Sequence, residues 1–453
     1  MHLWYGHPGT HVLLVDTDLP AGAHTNMQPY AGRGWCVMES KASGLVKLLT
    51  HSCTHGFVGK DLPLLISLKG LTGKEKKLDW AFINNGNVAR EPPTAPLAFA
   101  STLEAGVATG AITFAYSGDV GPVADLYGKA FAAEMAAVVT LSYYDTSWGD
   151  AQMLRVCEAL RAAHAGGGLR KLELLNLGWT RMGDGAAAAL AALIEDGAMP
   201  NLEWLHLGNN VISNTGVAAL ASALRGGALP SCTEIRLSDN PGNHAPVKEA
   251  LGSPERAAAV TQNASYMAAV VKLHFCKGSF WCGQGGWDDA QMLTLCEALR
   301  AAHAGGGLRK LESLSLSGNR MGDGAAAALA ALLEEEGAMP NLERLWLSNN
   351  QISDAGVTAL ASALQGGALP SCTFFDLANN QISDRGVIAF ASALREGALP
   401  SCTKTGWGGI MLEHNMNPGS DAPVEEALAS AERAAALARR QDELRSQRRQ
   451  GRI

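Results

Sequence analysis

Leu202-Glu203-Trp204-Leu205-His206-Leu207-Gly208-Asn209-Asn210 is one copy of a pattern that recurs along this chain, with leucines at its first, fourth and sixth positions and an asparagine at its ninth. Seven segments repeat this pattern, and six of them carry it almost intact. Within each run the sixth-position leucines are 30 or 31 residues apart, and the last follows after a longer step: Leu177, Leu207, Leu237, Leu316, Leu347, Leu377 and Leu412. A fixed period of this length is typical of a solenoid.

Each copy of the pattern predicts one strand and one helix. The short apolar alternation before the asparagine is typical of a strand. After it, Ser353 and Asp354 can cap a helix whose apolar residues recur at positions i, i+3, i+4 and i+7. This stripe appears three times, as Val357, Leu360, Ala361 and Leu364, as Val217, Leu220, Ala221 and Leu224, and as Val387, Phe390, Ala391 and Leu394.

The repeated residues resemble leucine-rich repeats of the ribonuclease-inhibitor type, over roughly residues 136–430. The resemblance implies an α/β horseshoe with parallel strands on the concave face and helices on the convex face. In that family the asparagine after each strand bridges neighbouring turns, because the backbone there leaves the sheet and needs partners. Thr180 departs from the pattern, and six asparagines match it: Asn210, Asn240, Asn319, Asn350, Asn380 and Asn415.

Two further strands are predicted outside the seven clear copies. They end at Leu141 and Leu273, which places Tyr144 and Cys276 at the asparagine position. The array then contains nine turns.

The region before the repeats carries a different motif. A short apolar segment, Val12-Leu13-Leu14-Val15, is followed by a loop and by Trp35-Cys36-Val37-Met38-Glu39 at the start of a helix. This arrangement resembles a segment of Toll/interleukin-receptor (TIR) domains. In TIR domains that cleave NAD, the glutamate of this motif is catalytic, and Glu39 matches it. Arg33 and Gly34 replace the usual serine, so a remnant fold in which Glu39 is a solvated helix residue is the other interpretation.

The repeats themselves form two similar modules, because the segment that begins at Asp150 returns at Asp289, 139 residues later. Each module ends in a similar proline-containing segment. We predict a partial TIR-like α/β region (1–70), a linker with a helical N-terminal cap (71–135), a first repeat module (136–265), a second (266–430) and a basic C-terminal helix or tail (431–453). Between the modules, Pro254 should separate two short helices, since proline breaks a helix that contains it.

Composition excludes several classes of protein. The 453 residues are 47% hydrophobic and 17% charged, which is typical of a folded soluble chain. The formal charge of -7 is modest, so we do not expect nucleic-acid binding. No apolar run reaches the roughly 18 residues that a membrane span needs. We therefore expect a cytoplasmic protein without a membrane partner.

The nine cysteines follow the repeats and do not indicate a disulfide framework. Cys157 and Cys296 occupy the same helix position in two copies, while Cys232, Cys372 and Cys402 recur in Leu-Pro-Ser-Cys-Thr. We expect buried thiols in a reducing compartment. The triplet His51, Cys53 and His55 has a spacing that fits no common zinc site, so no metal is predicted.

The predicted concave surface supplies the candidate site. Alternate strand residues between the core leucines point out of it, and tryptophan and arginine are enriched in binding hot spots. The predicted partner-binding residues are Trp179, Trp204, His206, Arg236, Arg344, Trp346, Phe374 and Asp376. The alternative interpretation is that these rings merely cover neighbouring strands.

The function predicted from these patterns is a non-enzymatic protein-interaction module, with no catalytic residue and no cofactor. The identity of the protein partner and the oligomeric state stay open. The alternatives are a signalling or sensor protein whose TIR-like region cleaves NAD while the repeats recognise a ligand, and a purely structural scaffold.

Overall fold

A computed structural model of the chain describes residues 12–14, 34–43, 65–67, 91–114, 116–146, 148–263, 267–268, 270–275, 286–416 and 421–449. The chain divides into two compact units. The first comprises Met1–Ala223 with Glu234–Val247, and the second comprises Leu224–Thr233 with Lys248–Ile453. None of the helices in the described ranges combines the length and the apolar character that crossing a membrane requires.

Short strands alternate with longer helices along the repeats. The described strands are β1 (Val12–Leu14), β2 (Leu65–Ser67), β3 (Thr140–Ser142), β4 (Leu174–Asn176), β5 (Trp204–His206), β6 (Glu234–Arg236), β7 (Lys272–His274), β8 (Ser313–Ser315), β9 (Arg344–Trp346), β10 (Phe374–Asp376) and β11 (Ile410–Met411). The described helices are α1 (Gly34–Ser43), α2 (Pro96–Ala108), α3 (Val120–Ala137), α4 (Asp150–Ala165), α5 (Asp184–Glu195), α6 (Asn214–Arg225), α7 (Ala245–Leu251), α8 (Pro254–Gln262), α9 (Asp289–Ala304), α10 (Asp323–Glu334), α11 (Asp354–Gln365), α12 (Asp384–Arg395), α13 (Ala422–Ala429) and α14 (Ala431–Arg449).

The strands of the repeats pair in parallel. Strands β3, β4, β5 and β6 form one sheet in that order, which we call the first sheet. Strands β7 to β11 form the second sheet, also in chain order. Ahead of the repeats, β1 pairs in parallel with β2. Parallel pairing of consecutive strands, each followed by helix, confirms the predicted α/β solenoid.

The leucines of the pattern form the core. Leu205 and Leu207 of one repeat and Leu345 and Leu347 of another are fully buried. The three predicted helix stripes are buried as well, with every member at most 3% exposed. Burying a leucine side chain stabilises a fold by about 1.5–3 kcal/mol. A single repeat is too thin to bury its own leucines, so the chain gains this stabilisation only when repeats stack on one another.

The repeat asparagines bridge neighbouring turns, as the resemblance implies. The Asn210 amide group donates to the carbonyl oxygens of Leu177 and Leu207, at 2.9 and 3.0 Å. Its oxygen accepts from the backbone N–H groups of Thr180 and Met182, at 3.0 and 2.9 Å. One side chain therefore satisfies four backbone groups of two repeats, and Asn350 and Asn380 repeat the contact.

A second ladder joins the helix starts, and the sequence patterns did not reveal it. Asp184, the first residue of α5, accepts hydrogen bonds from the N–H groups of Ser213 and Gly216 in the next repeat, at 2.7 and 3.0 Å. The hydroxyl of Ser213 donates to the same carboxylate at 2.5 Å. Asp354 makes the same three contacts with Ser383 and Gly386. These hydrogen bonds lower the pKa of both aspartates.

The predicted register of the two weakest strands was wrong by two residues. Leu141 pairs with Leu175 and not with the neighbourhood of Leu177, so Tyr143 occupies the third core position and is fully buried. The asparagine position then falls on Thr146, whose hydroxyl donates to the Tyr143 carbonyl at 3.1 Å, and not on Tyr144.

The same shift applies to β7, where Leu273 pairs with Leu314. Phe275 takes the third core position, and Cys276 lies outside the described residues. An aromatic residue replaces the last core leucine in both copies, which hides the register in the sequence.

The junction between the modules contains two helices, as predicted. Helix α7 ends at Leu251 and α8 begins at Pro254, with Ser253 as its N-cap. Beyond residue 421 the chain again forms two helices, because α13 ends at Ala429 and Ser430 separates it from α14. The Ser430 hydroxyl accepts from the N–H of Arg433 at 3.2 Å and so caps α14.

Two buried arginines occupy equivalent places after these breaks. Arg433 is 4% exposed, and its guanidinium donates to the carbonyl oxygens of Leu394, Ala398, Leu399 and Cys402 at 2.6–3.0 Å. Arg256 is 1% exposed and donates to the corresponding carbonyls of Ala228, Leu229 and Cys232. Each arginine thus satisfies buried backbone carbonyls of the loop between a repeat helix and the next strand.

The repeat cysteines are buried, as predicted. The thiol groups of Cys157 and Cys296 make the same contact in the two modules, with the carbonyls of Ala186 and Ala325 at 3.7 and 3.6 Å. Burial raises the pKa of both thiols to about 12. They therefore remain protonated at neutral pH and pack as small hydrophobic groups.

Candidate partner-binding surface

Residues that alternate with the core leucines form the open face of the first sheet. On β5, Leu205 is buried while Trp204 and His206 on either side of it are half-buried. This face encloses a cavity of about 690 Å³. It is lined by Tyr144, Leu174, Asn176, Trp179, Trp204, Leu205, His206, Asn209, Glu234, Ile235, Arg236, Leu237, Ser238, Asp239 and His244.

Four of the eight predicted binding residues line this cavity: Trp179, Trp204, His206 and Arg236. The Arg236 guanidinium forms an ion pair with the carboxylate of Glu234 on the same strand. The Nδ1 of His206 lies 3.0 Å from Oδ1 of Asn176. Because an amide oxygen only accepts hydrogen bonds, Nδ1 carries the proton. The two polar side chains are thereby oriented before any ligand arrives.

The trailing edge of this face is a row of residues that we call the rim: Asp145, Trp179, Asn209 and Asp239. Each immediately precedes the asparagine position of its repeat, and each has a left-handed backbone, with φ between 53 and 58°. Their N–H groups extend the strand ladder, since Trp179 donates to the Gly208 carbonyl at 3.1 Å and Asn209 donates to that of Ser238 at 2.8 Å.

Sequence reasoning found Trp179 but missed the rest of the rim. Asn209 and Asp239 line the cavity with it. The available signal was positional, because the residue before the repeat asparagine is asparagine, aspartate, glycine or histidine in the other clear copies. These residue types tolerate a left-handed backbone. Trp179 is the exception, and its side chain is 50% exposed.

The other four predicted residues lie on the second sheet and differ in exposure. Arg344 is exposed and Trp346 is half-buried. The Trp346 and Phe374 rings pack together, with centroids 4.3 Å apart. Phe374 is 6% exposed and Asp376 is 3% exposed. At Trp346 and Phe374 the rings thus cover neighbouring strands, which is the alternative that the sequence left open.

Asp376 is a structural carboxylate in this arrangement. Its Oδ1 accepts from the N–H of Ala378 at 3.0 Å. Burial raises the pKa of Asp376. It offers little surface to a ligand.

The described part of the chain contains no candidate metal site. No group of three or more histidine, cysteine, aspartate or glutamate side chains there could hold a metal ion. His51, Cys53 and His55 lie outside the described residues, as do the side chains of Trp35 and Glu39. The TIR-like hypothesis therefore stays a prediction from sequence.

A family model described as "Leucine Rich repeat" matches residues 198–221, 307–330, 338–361 and 373–391. These segments cover strands and helices of both sheets. Together with the parallel strands and the asparagine ladder, the match shows that the chain contains leucine-rich repeats. None of the matched segments lies in the TIR-like region. No curated protein matches the chain.

Solved structures with low sequence identity to this chain include leiomodin-1 and two internalins. Leiomodin-1 actin-binding site 2 is 15% identical, over 44% of this chain and 96% of that chain, with a TM-score of 0.29. An internalin from Listeria monocytogenes is 14% identical over 65% of this chain and 86% of that chain, with a TM-score of 0.26. Internalin C2 from the same organism is 19% identical over 56% of this chain and 76% of that chain, with a TM-score of 0.22.

Proposed function

We propose that this leucine-rich repeat protein is a non-enzymatic interaction module and that the open face of the first sheet binds a protein partner. Repeat solenoids generally bind through the extended surface that their stacked strands present. The cavity on this face is lined by aromatic, basic and acidic side chains. This mixture is typical of a recognition surface.

The observation that carries the proposal is Trp179. Its indole is 50% exposed, although its backbone adopts a left-handed conformation that is unfavourable for a bulky side chain. The exposure of the indole and the strain of the backbone each lower the stability of the fold, and neither improves packing. Strained residues concentrate at functional sites, because binding supplies the reason to keep them.

The second sheet contributes less to the proposal. Arg344 is an exposed side chain there, whereas Phe374 and Asp376 are buried and Trp346 is partly used in packing. We propose Arg344 as the leading binding residue on that sheet. The order of importance is therefore Trp179, Trp204 and Arg236 on the first sheet, followed by Arg344.

The test uses the purified full chain to capture proteins from the organism's own lysate, followed by binding measurements with each purified candidate. A Trp179→Ala/Trp204→Ala variant should weaken a true partner by at least about 30-fold, because anchoring tryptophans contribute about 2 kcal/mol or more each. The matched control is Leu154→Ala/Ile388→Ala, which removes exposed apolar side chains from helices α4 and α12.

Thermal unfolding of both variants distinguishes binding from folding. Normal unfolding with lost binding in the tryptophan variant alone supports the proposal. Full binding by the tryptophan variant, or loss only in the helix variant, would move the interaction to another face.

A further inference from the structure

The rim places one indole between two acidic side chains. Backbone hydrogen bonds join Asp145 to Gly178, Trp179 to Gly208 and Asn209 to Ser238, so the rim residues follow one another at the strand spacing. Neighbouring strands are about 4.8 Å apart. Asp145 is thus one strand from Trp179 on one side, and Asp239 is two strands away on the other.

The carboxylates of this rim lack compensating charge. Both Asp145 and Asp239 are exposed, and neither side chain forms an ion pair or hydrogen bond with another described residue. The Arg236 charge in the cavity is already paired with Glu234. Arg181 is exposed two residues after Trp179, and neither Arg181 nor Asp145 is among the residues that line the cavity. With two rim carboxylates against this one arginine, the net charge along the rim is negative.

We infer that the rim of this cavity receives a positively charged side chain, a lysine or arginine of the protein partner, over the Trp179 indole and between the strands that carry Asp145 and Asp239. The inference rests on the proposed function of the same face and names the chemistry that the face selects. A cation over an indole is attracted by the negative face of the ring. Nearby carboxylates add attraction for a cation and repel an anion.

The experiment uses the full chain labelled with 5-fluorotryptophan, which gives one fluorine resonance for each of the ten tryptophans. A Trp179→Phe variant identifies the Trp179 resonance. Three probe peptides differ only in the central residue: Gly-Gly-Arg-Gly-Gly, Gly-Gly-Glu-Gly-Gly and the norleucine equivalent. We expect the arginine peptide to shift the Trp179 resonance with at least about a twofold to fivefold higher affinity than the norleucine peptide.

An Asp145→Asn/Asp239→Asn variant should reduce the affinity for the arginine peptide by about threefold or more, as exposed ion pairs do. The matched control, Asp125→Asn/Asp196→Asn, removes two exposed carboxylates that lie outside the cavity and should change nothing. Added salt should also weaken binding of the arginine peptide, because it screens exposed charges.

Equal responses to the three peptides, or a preference for the glutamate peptide, would overturn the inference, as would an unchanged affinity in the rim variant. Failure here leaves the proposed function standing if the Trp179→Ala/Trp204→Ala variant still loses its captured partner. If the Trp179→Ala/Trp204→Ala variant keeps both its captured partner and its affinity for the arginine peptide, both the proposed function and this inference are wrong.

Discussion

At the scale of single residues, Trp179 shows a conflict between stability and exposure. It adopts φ of 58°, at a position held in other repeats by Asn209, Gly318 and Asn349, also with positive φ. A left-handed conformation costs an ordinary residue about 1–2 kcal/mol, and asparagine and glycine are the types that tolerate it. The chain therefore keeps a locally unfavourable residue at an exposed edge.

Replacing this side chain should separate the two effects. We expect Trp179→Asn to raise the free energy of unfolding by roughly 0.5–1 kcal/mol, since it relieves the backbone conflict, while it weakens partner binding. Urea denaturation measures the first effect and titration with the partner the second. The reciprocal variant, Asn209→Trp, should lose a similar amount of stability. A clear loss of stability in Trp179→Asn would show that the indole contributes to packing.

At the scale of elements, hydrogen bonds from side chain to backbone hold adjacent repeats together on both sides of the leucine core. The asparagines act where the chain leaves the sheet, and Asp184 and Asp354 act where the next helix begins. The aspartate contacts with Ser213 and Ser383 lower the pKa of both carboxyl groups from the ordinary value of 3.8. Stacking of helices is thereby linked to protonation.

This linkage predicts a loss of stability in acid. The two carboxylates keep their charge to lower pH in the folded chain than in the unfolded chain, so the unfolded chain binds more protons as the pH falls. Their contribution is complete above the unfolded pKa of about 3.8 and declines as the pH falls through the lowered folded pKa. We expect the melting temperature to fall in this window.

An Asp184→Asn/Asp354→Asn variant should be less stable near neutral pH and should lose less on acidification. Burial raises the pKa of Asp376, which acts with the opposite sign, but this group is the same in both proteins. The difference between the two plots of melting temperature against pH therefore gives the contribution of Asp184 and Asp354 alone. Parallel curves from about pH 6 to pH 3 would contradict the prediction.

The two buried arginines predict a specific weakness at the module ends. Arg433→Met should lower the free energy of unfolding by roughly 2–4 kcal/mol, because it leaves four carbonyl acceptors without their charged donor. Arg433→Lys should not restore it, since an ammonium cannot reproduce the planar fork of donors. Chemical denaturation measures both, and the exposed Arg445→Met on the same helix serves as the control. Equal stability of Arg433→Met and Arg445→Met would refute the role.

At the scale of the whole molecule, the sequence was informative where a residue type has one physical use. Leucines at a fixed period can only be core, so the strands and helices of the clear repeats were predictable. The predicted register was wrong at Leu141 and Leu273. Tyr143 and Phe275 occupy the last core position there, and an aromatic residue is compatible with either the buried or the exposed face of a strand.

The buried arginines were missed for a related reason. Arginine is normally exposed, so the residue type alone does not indicate burial. The only signal in the sequence is that the segment Glu-Arg-Ala-Ala-Ala occurs at both Arg256 and Arg433. The site was partly predictable, since an outward position on a strand follows from alternation. Whether a ring there stays exposed depends on its neighbours, and Trp346 and Phe374 contact each other.

The TIR-like segment gives the last prediction, because it is the segment for which the sequence suggests an enzymatic activity. We expect the purified full chain to release no nicotinamide from NAD above background, although Glu39 matches a catalytic glutamate of that family. Catalysis requires a substrate held in a reactive geometry, and a displacement of about 1 Å can cost on the order of 100-fold in rate. We do not expect a single matching carboxylate, with Arg33 and Gly34 in place of the usual serine, to provide such a site. Nicotinamide release is followed beside a Glu39→Gln variant, and turnover that disappears in the variant would establish the enzyme alternative.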